Sequence, residues 1–229
     1  MINLPEYFSR HTLFYGEDFV RKLRDKTVLV AGVGGLGSTV SQLLTRTGVG
    51  KLVLLENKTI DEPDLNRQIL YSYKDLEKQK SDVAKQKLRN ISPYTKVELI
   101  KKVLNPDNVS DLNNKQYDII VDCFDNFESR FILEGLLKEK QQMIHSGISN
   151  NYGQITTIKK GKTKSLKEIF GGIKRPSNNP IPVVPAAVVA VASIAANEAI
   201  NALLGRAKLL NKLLIVDFED YTMSKISLN

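Results

Sequence analysis

The stretch Thr27-Val28-Leu29-Val30-Ala31-Gly32-Val33-Gly34-Gly35-Leu36-Gly37 decides the architecture of this 229-residue chain. Thr27–Ala31 is a short β-branched and apolar run, the pattern of a buried strand. Gly32, Gly34 and Gly37 come at once after it in the spacing GxGxxG. That spacing supplies a tight turn, lets backbone N–H groups approach a phosphate closely, and points a helix N-terminus at the anion. Ser38–Thr47 then sets Val40, Leu43 and Leu44 on one helical face, Gly48 and Gly50 end the helix, and Lys51–Glu56 reads as a second buried strand. Strand, glycine turn, helix and strand within about 30 residues predict a right-handed βαβ crossover.

Working outward, Ser81–Ile91 spaces Ala84, Leu88 and Ile91 as one helix face, Lys96–Ile100 alternates as a strand, and Tyr117–Cys123 is another buried strand. Phe127–Lys140 reads as a helix, and Gln142–Ser146 and Gln154–Ile158 as strands. The end of the chain reads as a buried helix over Ala186–Leu204 with strands after it at Leu213–Asp217 and Thr222–Ser227. The alternation predicts an α/β fold: a doubly wound, Rossmann-like, mostly parallel sheet with a C-terminal antiparallel extension. One domain is expected over 1–229. It comprises an N-terminal helical arm (1–26), a nucleotide-binding core (27–158), a crossover segment rich in Lys, Gly, Pro and Asn that is expected to be mobile (159–185), and the final helix and strands (186–229).

Composition narrows the function classes. With 42% hydrophobic residues the chain is long enough to bury a substantial core. A single cysteine, Cys123, excludes an internal disulfide and a CxxC zinc site, which suits a reducing cytoplasm. Met1–Arg10 shows no basic stretch leading into an apolar one, so no signal peptide is expected. Pro182, Pro185, Asn197, Glu198 and Asn201 interrupt the apolar run from Ile181 to Leu204, which reads as a buried helix and not a membrane span. The formal charge of +8 is spread over scattered lysines, a pattern that favours a partner with an acidic surface over nucleic acid.

Glu56, at the end of the second strand, suits hydrogen bonds from ribose hydroxyls, an arrangement that also serves NAD-dependent oxidoreductases. Three downstream segments separate the two readings: Thr59–Gln68 (TIDEPDLNRQ), Lys78-Gln79-Lys80, and Val121–Asn126 (VDCFDN). At these residues, and from Ser9-Arg10-His11 through Ala196–Ile200, the sequence resembles the ThiF/MoeB/HesA family, the bacterial relatives of ubiquitin-activating enzymes. The resemblance implies an adenylyltransferase that uses ATP and Mg2+. By it, Gly32, Gly34, Gly35, Gly37 and Glu56 hold the nucleotide, and Asp64, Asn66 and Arg67 line its phosphates. Lys80 meets the triphosphate, Asp125 holds magnesium with Asn126 beside it, and Arg10 reaches across a homodimer to the partner's ATP. Adenylation itself asks for positioned cations and a metal more than for proton transfer.

Each residue also has a plainer reading. Arg67 and Lys80 are residue types common as surface charges, Asp125 is a type that caps helices, and Asp122 and His145 read as packed in the core. The chain departs from the family in lacking zinc-binding CxxC pairs and a cysteine in the crossover segment, where Ser177–Asn179 offers only polar groups. Cys123 therefore reads as a buried small residue, not a nucleophile. Asp64 stands where relatives carry asparagine, and needs a metal or Arg67 as its neighbour. The resemblance implies as substrate the C-terminal carboxylate of a ubiquitin-like sulfur-carrier protein of the ThiS/MoaD kind. It also leaves a ribosomally made precursor peptide, tRNA threonylcarbamoyladenosine dehydration, and a non-catalytic dimer partner as alternatives.

Overall fold

Five strands run parallel: β1 (Thr27–Ala31), β2 (Lys51–Leu55), β3 (Lys96–Ile100), β4 (Ile119–Asp122) and β5 (Gln142–Ser149). Three more continue the sheet antiparallel: β6 (Tyr152–Lys159), β7 (Lys212–Asp217) and β8 (Thr222–Ser227). This is the arrangement in the computed structural model, which describes residues 4–109, 112, 116–172 and 181–228. The order across the sheet is β3-β2-β1-β4-β5-β6-β7-β8, so the doubly wound sheet with an antiparallel extension is observed.

The apolar runs are continuous because both faces are covered. Val28, Val30, Leu52, Leu54 and Val121 point to one face. They meet α3 (Gly35–Thr47), α4 (Lys80–Ile91) and the long helix Pro185–Leu203. Leu29, Ala31, Val53, Leu55 and Ile120 point to the other, beneath α5 (Phe127–Gly135) and α6 (Leu166–Phe170). The long helix, α7, has the length and composition to cross a membrane, yet its Val188, Val191, Ala192, Ala195 and Ala199 are buried against the sheet and α3.

The N-terminal arm is helical but divided, with α1 (Ser9–Tyr15) and α2 (Glu17–Arg24) separated by Gly16 at φ 82°. Phe8, fully buried, lies so close to Gly48 that a Cβ there would sit 2.4 Å from the ring. Other boundaries moved as well. The helix read over Phe127–Lys140 stops at Gly135, because Leu136 and Leu137 turn into the core and Lys140 takes a positive φ. β5 and β6 extend to a tight connection at Asn150 (φ 53°), longer than the sequence indicated. Within the stretch read as irregular, Ser165 and Glu168 close a capping box on α6, whose Leu166 and Phe170 are buried. Ser177–Asn179 falls outside the described residues.

Glu198 of α7 joins the antiparallel strands to the helix layer. Its Oε1 accepts from Thr157 Oγ1 at 2.7 Å and from the Lys208 and Leu209 amides at 2.8 Å each. Removing that acceptor strands three donors in a buried site, so Glu198→Ala should lower the free energy of unfolding in urea by about 3 kcal/mol. Glu198→Gln, which keeps an acceptor oxygen, should cost less than half of that. Equal losses for the two variants would contradict this account.

Candidate active site

The direction of winding reverses between β1 and β4, and their carboxyl ends open a crevice there. Gly32 takes φ 87°, and a Cβ on it would meet the Cys123 carbonyl oxygen at 2.9 Å. At Gly37 a Cβ would lie 1.9 Å from the Gly32 carbonyl oxygen, so helix and turn can approach this closely only with glycine at that position. The result brings the N-terminus of α3 to the crevice mouth with no side chain capping it. Its first N–H groups face outward without a side-chain acceptor, the arrangement that binds phosphate.

Glu56, just past β2, is almost fully buried and fastens the turn. Its Oε2 accepts from the Val33 amide at 3.0 Å, and its Oε1 from the amides of Asn57 and Lys58 at 2.9 Å each. A carboxylate offers about four acceptor sites, which leaves one for a ligand hydroxyl. Glu56 is thus a fastening of the loop as well as a candidate ribose contact.

The Thr59–Gln68 segment supplies the cationic side. Asp64 Oδ2 lies 2.7 Å from the buried Lys80 ammonium, Gln68 Nε2 donates to Oδ1 at 2.6 Å, and Arg67 approaches Oδ1 at 3.9 Å. The neighbour that Asp64 requires is therefore first of all Lys80, with Arg67 second. Arg67 is also steadied by the Pro63 carbonyl at 2.8 Å and by Asn66 Oδ1 at 3.0 Å. Behind them the Tyr71 hydroxyl donates to the Val33 carbonyl at 2.9 Å, tying this segment to the glycine turn. Burial, reinforced by Glu56, Asp64 and Asp75, pushes the Tyr71 phenol far up, so it remains a donor.

Across the crevice, β4 ends at Asp122 and the chain turns through Cys123–Asn126 into α5. The helix cap is Asn126, whose Oδ1 accepts from the Ser129 amide at 2.8 Å, and not Asp125 as the residue type suggested. Asp125 instead presents its carboxylate outward, with Lys58 Nζ at 3.6 Å and Asn126 Nδ2 donating to it at 3.1 Å. Burial pushes the Cys123 thiol well up, with the Asp122 charge adding to the effect, which makes it a poor nucleophile. Asp122 is fully buried and accepts from His145 Nδ1 at 2.7 Å, while His145 Nε2 faces the Gln154 amide at 3.3 Å. Burial holds His145 below its ordinary range despite the pull of Asp122, so the ring is neutral.

The residues read from the sequence therefore converge on one crevice: Gly32, Gly34, Gly35, Gly37, Glu56, Asp64, Asn66, Arg67, Lys80, Asp125 and Asn126. Arg10 does not join them. It is exposed on α1, two residues from Phe8, which packs at Gly48 beyond the far end of α3. A 13-residue helix puts that end roughly 20 Å from the glycine turn. Two residues escaped the sequence reading. Lys58 looks like an ordinary turn lysine and shows its place only once Asp125 is brought opposite. Arg130 carries a weak signal, being one turn into a helix that begins at the site. Among the described residues no group of three or more His, Cys, Asp or Glu is placed to hold a metal ion. A magnesium ion at Asp125 would therefore take its remaining oxygens from phosphate and water, the habit of that ion. The uncapped helix, the two cations and the outward carboxylate fit a magnesium–nucleotide complex.

The ThiF family model matches residues 8–229, and the chain belongs to that family. Among its relatives, HesA of Leptolyngbya boryana is 33% identical over 203 residues, covering 87% of this chain and 73% of that protein. A probable molybdopterin-synthase adenylyltransferase of Porphyra purpurea is 30% identical over 226 residues, which cover 93% of this chain but 58% of the relative. The crystal structure of E. coli MccB with MccA superposes with a TM-score of 0.82 at 23% identity, covering 99% of this chain and 72% of that one. The same protein with ATP gives 0.78 at 23% identity, covering 100% and 72%. At that identity the likeness is one of fold.

Neutral His145 gives stability a defined pH dependence. The unfolded chain exposes a histidine of pKa about 6.5, whereas the native ring titrates lower. As pH falls through about 6.5 the unfolded state takes up a proton that the native state does not, and stability is lost. Comparing pH 7.5 with pH 5.5, the free energy of unfolding in urea should fall more steeply for the parent than for His145→Gln, by up to about 1.4 kcal/mol per pH unit. Parallel profiles for the two proteins would refute the neutral assignment.

Proposed function

We propose that this ThiF-family chain is an adenylyltransferase that uses ATP to activate the C-terminal carboxylate of a small ubiquitin-like sulfur-carrier protein, of the ThiS/MoaD kind, as an acyl-adenylate, with release of pyrophosphate. The observation that carries the reading is that Lys80 and Arg67 share Asp64 beside the uncapped N-terminus of α3, while Asp125 follows directly on the Cys123-Phe124 segment that packs against the glycine turn. Such a set has no hydride-transfer role, and it answers what nucleotidyl transfer needs, since charge builds on phosphate oxygens as the carboxylate attacks the α-phosphate. In this reading the α3 amides and Lys80 bind phosphate oxygens, and Arg67 lies beside them. Glu56 directs its remaining acceptor to the ribose, and Asp125 with Asn126 holds magnesium. The bound ion supplies further charge neutralisation on the phosphates.

Lys80 is already neutralised by Asp64, so a positive charge is set down in a buried place without a large penalty for leaving it unpaired. The polyphosphate then competes with Asp64 for the same ammonium. Burial of Cys123 supports a reaction that stops at the adenylate and hands it to an external nucleophile, without an enzyme thioester. Its free thiol suits a cytoplasmic setting. The whole chain acts as one adenylation domain, with a homodimer bringing Arg10 of one copy to the nucleotide of the other. A precursor peptide is the second reading. It is favoured by the fold shared with E. coli MccB, which has been solved with MccA, and it calls on the same residues.

Lys80→Ala and Asp125→Ala should each reduce exchange of pyrophosphate into ATP, in the presence of the acceptor, by about 100-fold or more, with far-ultraviolet circular dichroism unchanged. Retention of parental exchange by both variants would overturn the site. A carrier ending in Gly-Gly and a short precursor peptide, assayed side by side, decide between the two substrates.

Mixing Arg10→Ala chains with Lys80→Ala chains tests the proposed assembly. In the mixed dimer one crevice keeps Lys80 and receives an intact Arg10, so activity should return to about a quarter of the parental value at full subunit exchange. Absence of recovery, after exchange of subunits has been verified by mass spectrometry, would exclude a role for Arg10 across the interface.

A further inference from the structure

A cluster of buried charge lies directly behind Asp125 and takes no part in the proposed nucleotidyl transfer. Arg130, almost fully buried in the first turns of α5, folds back toward the strand ends. Its Nε and one terminal nitrogen donate to the Phe124 carbonyl at 3.2 and 2.6 Å, and that nitrogen reaches the Ser146 carbonyl at 3.3 Å. Asp122 Oδ2 lies 3.5 Å from Arg130 Nε, while Asp122 Oδ1 accepts from the Phe124 amide at 3.1 Å. Phe124 is thus gripped at both its N–H and its C=O. Asn126, on the other side of Asp125, is fixed by its cap on Ser129.

Asp125 therefore sits between two backbone positions that are each tied down. Its own carboxylate is 74% exposed, so little packing can hold it in place. We infer that Arg130, locked by Asp122 and through it by His145 and Gln154, is a positioning residue that sets the Asp125 carboxylate for magnesium in the nucleotide complex. This inference rests on the proposed role of Asp125. The energetics favour a positioning role over a purely stabilising one. A buried ion pair is seldom more stable than apolar groups of the same volume, and here the guanidinium spends its donors on two carbonyls of different segments, Phe124 just past the end of β4 and Ser146 within β5. Holding those carbonyls ties the segment after β4 to the neighbouring part of β5 and sets the direction in which residue 125 leaves the sheet. No shorter side chain has both the reach and the fork of donors to do so.

The test uses Arg130→Met, Arg130→Lys and Asp125→Ala, each compared with the parent below its own unfolding temperature. A fluorescent ATP analogue is titrated without metal and then against Mg2+. Arg130→Met should bind the analogue without metal within about twofold of the parent, yet require at least tenfold more Mg2+ for half of the metal-dependent gain. Arg130→Lys, retaining one donor for the Phe124 carbonyl, should fall between, and it carries the test if the methionine variant does not fold. In the nucleotide-free protein, hydrogen exchange at the Phe124 and Ser129 amides should be at least tenfold faster in the folded Arg130 variants. Parental Mg2+ dependence and parental exchange in Arg130→Lys would overturn the inference. If Asp125→Ala itself leaves the Mg2+ dependence unchanged, the metal role of Asp125 fails and the positioning role falls with it. Loss for Asp125→Ala but not for the Arg130 variants sinks the inference alone.

Discussion

At Gly37 there is no room for one carbon atom, since it would fall 1.9 Å from the Gly32 carbonyl oxygen. The rest of the site depends on that contact. It lets α3 start within the glycine turn, and it draws the helix N-terminus down to the level of the strand ends. It also brings Cys123 of the neighbouring strand end close to the turn, so the two loops that diverge at the reversal of winding begin from a single packed unit. A larger residue at this position would push the helix outward and carry the phosphate-facing amides away from Lys80 and Asp125.

Around that unit the polar groups are matched mostly to one another. Glu56 is occupied by three backbone amides, Asp64 by Lys80 and Gln68, and Asp122 by His145, Phe124 and Arg130. Each buried charge has its partners before any ligand arrives, which is the condition for keeping charge in a dry place. The more exposed groups are different in kind. Lys58 and Asp125 face each other across the crevice mouth with side chains 66% and 74% exposed, where an ion pair contributes little stability and exchanges readily. The site thus has a rigid back, made of matched buried groups, and a front that a charged ligand can rearrange. Tyr71 links the two parts by bonding the glycine turn to the segment that carries Asp64 and Arg67.

Periodicity located the parallel strands well because strands buried on both faces must be apolar throughout, and TVLVA, KLVLLE and YDIIVDC leave little choice. It failed where a local backbone device carried the structure. The hairpin at Asn150, the early end of α5 and the capped helix at Leu166 each depend on a left-handed residue or on a short side chain reaching a backbone amide, and neither leaves a repeat in the sequence. The apolar run of α7 was ambiguous by composition alone. Its neighbours on α3 and the sheet decide that it is a core helix in this fold.

By itself the sequence determined the βαβ nucleotide unit, the identity of most residues that line the crevice, and the absence of any thiol besides Cys123. These depend on local steric rules and on residue types at fixed spacing, which a linear chain states openly. Only the tertiary structure decided which charges meet. Asp64 and Lys80 are sixteen positions apart, Lys58 and Asp125 sixty-seven, and Asp122 and His145 twenty-three, and nothing in their spacing says that they pair. Arg130 became part of the site for the same reason. Its direction is set by where the end of β4 and the middle of β5 lie in space, and electrostatic partnership depends on distances across the fold, not on order along the chain.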